Sequence, residues 1–251
     1  MKKIMFIFVT GLMAVVLAAC GGNEDNKVAD NSNKANTEEN EQQKAMDDMQ
    51  KKLEAQQIDE KKTVAIVNDT KILGIDYNGT LASIQGQMQQ MGQDPTSKEA
   101  AEQVKNQTIE NLVGQTLLLQ EANKKSYKAS EADINKKLEE LKKRFKTEKE
   151  FESALKKSGM DMKTLQTQIA DGIKLNQYIE KEVPAGEITD EEIQKAYDQY
   201  AEQGKTTGQE IPKLEEVKPQ IEQSLQQQKR QEKLTQHVEE LKKNAKIEIK
   251  I

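Results

Sequence analysis

KIEIKI, residues 246–251, alternates strictly between charged residues and isoleucine. A period of two places Ile247, Ile249 and Ile251 on one face of a β-strand. A strand needs a partner, and the clearest other β candidate is TVAIV at 63–67, because β-branched residues favour extended backbone. We therefore predict that 63–67 and 246–251 pair antiparallel and join two regions that lie far apart in the chain.

Between the two predicted strands the apolar periodicity is helical. After a turn at Asn68 and Asp69, apolar residues recur at spacings of four and three, which predicts one amphipathic helix. This stripe consists of Tyr77, Leu81, Ile84, Met88 and Met91. The stretch 109–119 is the most apolar segment beyond the N-terminal region and predicts a central core helix. Further helix starts carry N-cap residues at Ser130, Thr147, Asp161 and Thr189.

The segment from Leu214 to Leu241 predicts one long helix whose two ends are apolar and whose middle is polar. Gln228 and Gln231 occupy the stripe between its apolar ends. This pattern predicts a helix that crosses a gap between two contact zones and folds back on the N-terminal helices. The predicted fold class is mainly α, with a small antiparallel pairing of 63–67 and 246–251.

Composition excludes several kinds of function. The chain has 251 residues, 4% aromatic and 32% charged, with a mean hydropathy of −0.87, which indicates helices around a thin core. A net charge of −5 argues against a nucleic-acid partner. One histidine, His237, and one cysteine, Cys20, leave no nucleophile triad or metal-ligand set, so we predict no catalytic site, cofactor or metal. His237 lies among charged residues and is predicted to be a solvated surface residue.

The N-terminal segment has the form of a bacterial lipoprotein signal. Lys2 and Lys3 precede an apolar run that closes on LAAC, ending at Cys20. We predict a signal peptide at 1–19 and a diacylglyceryl group on Cys20, with acyl chains such as palmitate that hold the protein on the outer face of a cell membrane. A Gram-positive source is favoured. Residues 20–44 are predicted to form a disordered tether, and 45–62 an exposed helix.

Four segments resemble the SurA and PrsA group of extracytoplasmic foldases. They are VAIVND, IENLVGQTLLLQEANKKSY, EITDEEIQKAYDQY and the tail from Leu214, and the likeness extends over 63–251. It implies a SurA-like chaperone domain built from the N-terminal helices and the returning C-terminal helix and strand. The group carries a parvulin-type prolyl isomerase domain between those parts, and here a short linker at 201–213 stands in its place. The resemblance thus implies a foldase-like protein that is not an enzyme.

We predict a membrane-anchored holdase that binds unfolded or nascent exported proteins in a helix-lined apolar groove, without ATP. Methionine repacks around varied partners, although core packing is the competing interpretation for each methionine. The candidate client-binding residues are Tyr77, Ile84, Met88, Met91, Met160, Met162, Tyr178, Gln228 and Gln231. The alternatives are a lipoprotein scaffold for one dedicated surface partner and a peptidyl-prolyl isomerase by family relation only. A homodimer that shares helices is compatible with a thin core.

Overall fold

The computed structural model describes residues 44–207 and 211–251. The predicted signal peptide, Cys20 and the predicted tether up to residue 43 lie outside this range. The chain divides into Met1–Asp47, of which only 44–47 are described, and a second unit, Asp48–Ile251. Within the described ranges, no helix combines the length and the apolar character needed to span a bilayer.

The described part of the chain is mainly α, as the sequence predicts. Its helices are α1 (44–54), α2 (Gly74–Gln90), α3 (Lys98–Lys124), α4 (Glu131–Lys142), α5 (Glu148–Lys157), α6 (Met162–Glu182), α7 (Asp190–Thr207) and α8 (Leu214–Lys243). Its strands are β1 (Thr63–Val67), β2 (Thr70–Leu73) and β3 (Ile247–Ile249). The predicted N-caps hold at Ser130, Thr147 and Asp161, whose side chains each accept from a backbone amide of the first turn.

The predicted pairing of the two distant strands is confirmed. The sheet has the order β2-β1-β3, and β1 is antiparallel to both of its neighbours. Ala65 lies opposite Ile249, and Val67 lies opposite Ile247. Beyond the strand itself, the Lys250 amide donates to the Val64 carbonyl at 2.8 Å. The C-terminal segment therefore completes a sheet that begins about 180 residues earlier.

The main core lies between this sheet, α2 and α3. Val64, Leu81 and Val104 are at most 1% exposed and anchor it. The end of α8 and β3 close this core with the half-buried side chains of Leu241, Ala245, Ile247 and Ile251. The predicted return of the last helix onto the N-terminal helices is thus confirmed.

Two smaller apolar clusters extend the fold away from the sheet. One is formed by Leu118, Ala122 and Tyr178, where α3, α6 and α8 meet. The other joins α4, α5 and the start of α6 through Leu138, Phe151 and Leu165. A chain with few aromatic residues is thus stabilised by several small cores rather than one large one.

The polar middle of α8 does not cross a gap. Lys229 Nζ donates to the Glu187 carbonyl at 2.9 Å and pairs with the Glu192 carboxylate at 2.7 Å. Lys233 Nζ donates to the Pro184 carbonyl at 3.1 Å. These lysines hold the connection between α6 and α7 against α8. The prediction that the middle of α8 crosses a gap between two contact zones is therefore wrong.

Two predicted boundaries are also wrong. The predicted linker 201–213 is helical over 201–207, because the packing of α7 along α8 outweighs the modest cost of Gly204 within a helix. The predicted exposed helix 45–62 ends at residue 54. Residues 55–62 turn instead against the start of α2, where the side chain of Asn78 bonds both the amide and the carbonyl of Ile58.

Asn68 ties the sheet to α3 and to the C-terminal segment. Its Oδ1 accepts from the Lys246 amide at 3.0 Å, and its Nδ2 donates to Gln120 Oε1 at 2.7 Å. Its φ of 56° lies in the left-handed region, which asparagine tolerates better than most residues.

We expect Asn68→Gly to lower the free energy of unfolding by about 1 kcal/mol, because two partly exposed hydrogen bonds are lost while φ stays unstrained. Asn68→Ala should cost about 1 kcal/mol more than Asn68→Gly. Alanine has a Cβ, which strains the backbone at positive φ, and it lacks the side-chain amide by which asparagine tolerates this conformation. Urea unfolding followed by circular dichroism measures both values. Equal losses in the two variants would show that backbone strain at residue 68 is unimportant.

Candidate functional site

Exposed methionines cluster at the end of α2. Met91 follows the last turn of α2 as its C-cap residue and is 61% exposed. Met88, one turn earlier, is half-buried and packs on the main core. Met49 of α1 is 39% exposed, and its Sδ accepts from Gln89 Nε2 at 3.6 Å, which places it beside the same turn. We call Met49, Met88 and Met91 the methionine patch.

Met160 and Met162 lie elsewhere, at the start of α6. Met160 is half-buried, and Met162 is 36% exposed just after the N-cap residue Asp161. Gly159, next to this pair, faces the side chain of Glu60 in the turn that packs on the start of α2, whereas the methionine patch lies at the end of that helix. A single groove shared by both sets of methionines stays a prediction.

Three of the predicted client-binding residues are core residues. Tyr77 is 2% exposed, Ile84 6% and Tyr178 1%. Tyr77 and Ile84 belong to the main core, whereas Tyr178 belongs to the cluster of α3, α6 and α8. Their helical spacing reflects packing against neighbouring elements, and in this conformation they offer a client very little apolar surface.

Gln228 and Gln231 are exposed on α8. Gln228 Nε2 donates to Glu232 Oε1 at 3.0 Å, a pairing along the helix surface. Because the flanking lysines already occupy the side of α8 that meets the α6–α7 connection, these glutamines do not form the floor of an apolar cleft.

His237 is not the solvated residue that the sequence predicts. It is half-buried, its Nε2 lies 2.7 Å from Tyr178 Oη, and the two rings stack with centroids 5.9 Å apart. The ring of Tyr127 contacts Tyr178 edge-on at 5.8 Å, and Tyr127 Oη donates to Glu182 at 2.8 Å. The local sequence does not predict this role, since lysines and glutamates surround His237 and its partner Tyr178 is 59 residues away.

Burial, and to a lesser degree the nearby carboxylates of Glu121 and Glu182, raise the pKa of Tyr178 to about 12. An unfolded tyrosine has a pKa of about 10. Between pH 10 and 12 the unfolded chain therefore loses this proton while the folded protein keeps it, and stability falls as the pH rises through this window.

Tyr178→Phe should remove this contribution, about 2 kcal/mol of the stability lost between pH 10 and 12. Urea unfolding at both pH values, compared between the two proteins, isolates it from the titration of lysines. At pH 7 the variant should lose about 1 kcal/mol through the missing bond to His237. An identical pH dependence in both proteins would show that Tyr178 ionises freely in the fold.

Within 44–207 and 211–251, no group of three His, Cys, Asp or Glu side chains is placed to hold a metal ion. Sequence reasoning missed Met49, because its helix has few apolar residues and gives only a weak periodic signal. It also assigned Asn68 to a turn only, since a hydrogen bond to Lys246 cannot be recognised from local sequence.

A family model that covers most of the chain defines the class of protein. The family model described as the SurA-like N-terminal domain matches residues 1–179, and the chain belongs to this family. The chain is similar to the foldase protein PrsA of Caldanaerobacter subterraneus subsp. tengcongensis, with 26% identity over 147 residues, 55% of this chain and 43% of that protein. It is also similar to the foldase protein PrsA of Clostridium botulinum strain Loch Maree, with 28% identity over 151 residues, 55% of this chain and 45% of that protein.

The chain spans less than half the length of these curated relatives. Among solved structures, it is similar to one from a study of PEB4 and Cj1289, described as structurally related SurA-like chaperones of Campylobacter jejuni. That likeness covers 75% of this chain and 98% of the other, with a TM-score of 0.47 and 11% identity.

Proposed function

We propose that this protein is a holding chaperone for exported proteins, fixed to the outer face of the membrane by lipid on Cys20. The methionine patch is the observation that carries the proposal, because it leaves Met91 61% and Met49 39% exposed. Flexible thioether side chains adapt to apolar segments of different shape, which suits a binder of many clients. Met160 and Met162 provide a second, smaller contact surface.

The size of the patch fits reversible binding. Fully burying one methionine contributes roughly 1.5–3 kcal/mol, and only two side chains of the patch are substantially exposed. A client held at this patch alone is therefore bound weakly. Because the binding is weak, the client can dissociate without nucleotide hydrolysis. Membership of the SurA-like family and similarity to proteins named foldases support the proposal.

Suppression of aggregation tests the proposal. The purified full chain should delay the aggregation of at least two unrelated unfolded exported proteins at equimolar concentration. Replacing Met49 and Met91 by glutamine should reduce the delay severalfold, whereas replacing both by leucine should preserve it, because leucine retains the apolar surface. A chain that delays neither client would contradict the holdase and favour a scaffold for one dedicated partner.

We further propose that the chain catalyses no prolyl isomerisation. Its single histidine is held by Tyr178 within the fold, whereas the parvulin sites of the resembling foldases use paired histidines. A proline-containing peptide should therefore isomerise at its uncatalysed rate in the presence of the full chain. Measurable turnover in this assay would overturn the proposal.

A further inference from the structure

A depression of about 430 Å³ lies between the end of α3 and the middle of α6. Its walls include Asn123, Tyr127, Lys128, Ala129, Ala170 and Lys174. None of these residues belongs to the methionine patch, and none is among the candidates selected from the sequence. The depression is thus a second feature on the surface of the unit 48–251.

The end of α3 gives this depression a fixed wall. The Ser126 amide donates to the Asn123 carbonyl at 3.0 Å, and the Tyr127 amide donates back to the Ala122 carbonyl at 2.9 Å. Ser126 takes a φ of 63°, the left-handed conformation that ends a helix of this type. Tyr127 is then held by its bond to Glu182, so the wall is set before any ligand arrives.

The segment after this helix end keeps hydrogen-bonding capacity. Residues 127–130 form neither helix nor strand, and the amides of Lys128 and Ala129 have no partner within the described ranges. Such a stretch of backbone can pair with a second extended chain. The small side chains of Ala129 and Ala170 leave room beside it.

Lys128 supplies an ammonium group at the edge of the depression. Lys128 is exposed and has no carboxylate partner in the part of the chain that the structure describes. Lys174 Nζ pairs with Asp171 at 2.7 Å and donates to Asn123 Oδ1 at 3.2 Å, which holds its ammonium group at the rim. The nearby Glu182 is already paired with Lys125 at 2.5 Å.

We infer that this depression binds a carboxylate carried by an extended segment of a client protein. Lys128 receives the carboxylate, and the backbone at 127–130 lies beside the client chain. The carboxylate belongs to an Asp or Glu side chain, because a segment that runs along 127–130 places its side chains, and not its end, beside Lys128. This inference rests on the proposed chaperone function and adds acidic segments to its apolar clients.

Fluorescence anisotropy with labelled twelve-residue peptides tests the inference on the purified full chain. One peptide carries two central glutamates and an amidated end, a second replaces them by glutamine, and a third has glutamines with a free terminal carboxylate. We expect the glutamate peptide to bind about fivefold more tightly than the amidated glutamine peptide, a gain of one ion pair. The gain should shrink at high salt. The third peptide should bind no more tightly than the second, and a gain from its free terminus equal to that of the glutamates would overturn the assignment to a side chain.

Two substitutions locate the binding. Lys128→Glu should abolish the preference for glutamate, and Ala170→Leu should weaken all peptides by filling the depression. Lys149→Glu, an equal charge change on exposed α5, should leave the preference intact. Circular dichroism confirms that each variant folds.

The outcomes separate this inference from the holdase proposal. Suppressed aggregation without a preference for glutamate overturns the inference alone. A preference that survives both Lys128→Glu and Ala170→Leu also overturns it, because binding then lies elsewhere. If the peptides bind as predicted but aggregation is not delayed, the result supports carboxylate binding at the depression and contradicts the holdase proposal.

Discussion

Removing residues 246–251 is expected to lower the free energy of unfolding of the unit 48–251 by about 4 kcal/mol. Ile247 and Ile251 pack on the main core, and their loss uncovers apolar surface there. The backbone bonds of Val64 and Asn68 to this segment, at 2.8 and 2.7 Å, are lost as well. Domains of this kind are stable by only about 5–15 kcal/mol, so the deletion removes a large share of the total.

Urea unfolding followed by circular dichroism measures this loss. Ile249→Thr serves as the control, because Ile249 is 44% exposed and threonine keeps the β-branched shape. The control should change stability by less than about 0.5 kcal/mol. A deletion that is as mild as the control would show that β3 adds nothing to the fold. Loss of β3 also uncovers the edge of β1, so the shortened chain should aggregate more readily.

Gly74→Ala is expected to cost about 3 kcal/mol, near the upper range for overpacking. A Cβ at this position would lie 2.0 Å from the Asp59 carbonyl oxygen, a backbone atom that cannot rotate away. Relief requires the turn 59–62 to move, which breaks the bond from the Gly74 amide to the Lys62 carbonyl at 2.8 Å. The loop that replaces the predicted helix at 55–62 would then detach from α2.

Gly79→Ala is the matched control on the same helix. Nothing lies within 4 Å of a Cβ added there, so alanine should stabilise the protein by up to about 1 kcal/mol through its higher helix propensity. Thermal unfolding of the two variants should therefore shift the midpoint in opposite directions. An unaffected Gly74→Ala would contradict the close approach of the turn to α2, whereas a destabilised Gly79→Ala would contradict the open space around residue 79.

The elements that the sequence predicted well are those with a strong local pattern. The alternation of 246–251 and the β-branched run at 63–67 predicted their pairing, and a shift by one residue would turn Ile247 and its neighbours to the wrong face. Helix starts at Thr147 and Asp161 were equally plain, since short polar side chains cap helices by local bonds. The start of α3 is less plain, because two neighbouring residues could cap it: Ser97 does so, while Thr96 bonds Asp94.

The elements that the sequence could not give depend on distant partners. Nothing in residues 55–62 signals a turn; the side chain of Asn78 and the start of α2 impose it. Likewise, the lysines of α8 gain a role only through backbone carbonyls of the α6–α7 connection. Charged residues on a helix face look the same in sequence whether they meet solvent or a backbone carbonyl of another element.

The candidate site was predicted only in part for a related reason. Tyr77 and Met91 belong to one apolar stripe at helical spacing, yet Tyr77 is 2% exposed and Met91 61%. The stripe faces the core until α2 ends at Gln90, and Met91 stands just beyond that end. Periodicity identifies a face, whereas the length of the contact with α3 and the sheet decides which residues of that face are covered.

The closure of the chain depends on the pairing of β1 with β3. Disulfide trapping tests this pairing most directly. Ala65 and Ile249 face each other at a non-hydrogen-bonded position, where Cα atoms lie about 4.5 Å apart and a disulfide fits. In a Cys20→Ser background, Ala65→Cys with Ile249→Cys should oxidise nearly completely, as judged by mobility on non-reducing gels and by mass spectrometry. Ala65→Cys with Glu248→Cys should oxidise poorly, since these side chains lie on opposite faces. Equal oxidation of both pairs, or none of either, would contradict the closure of the chain by its C-terminal strand.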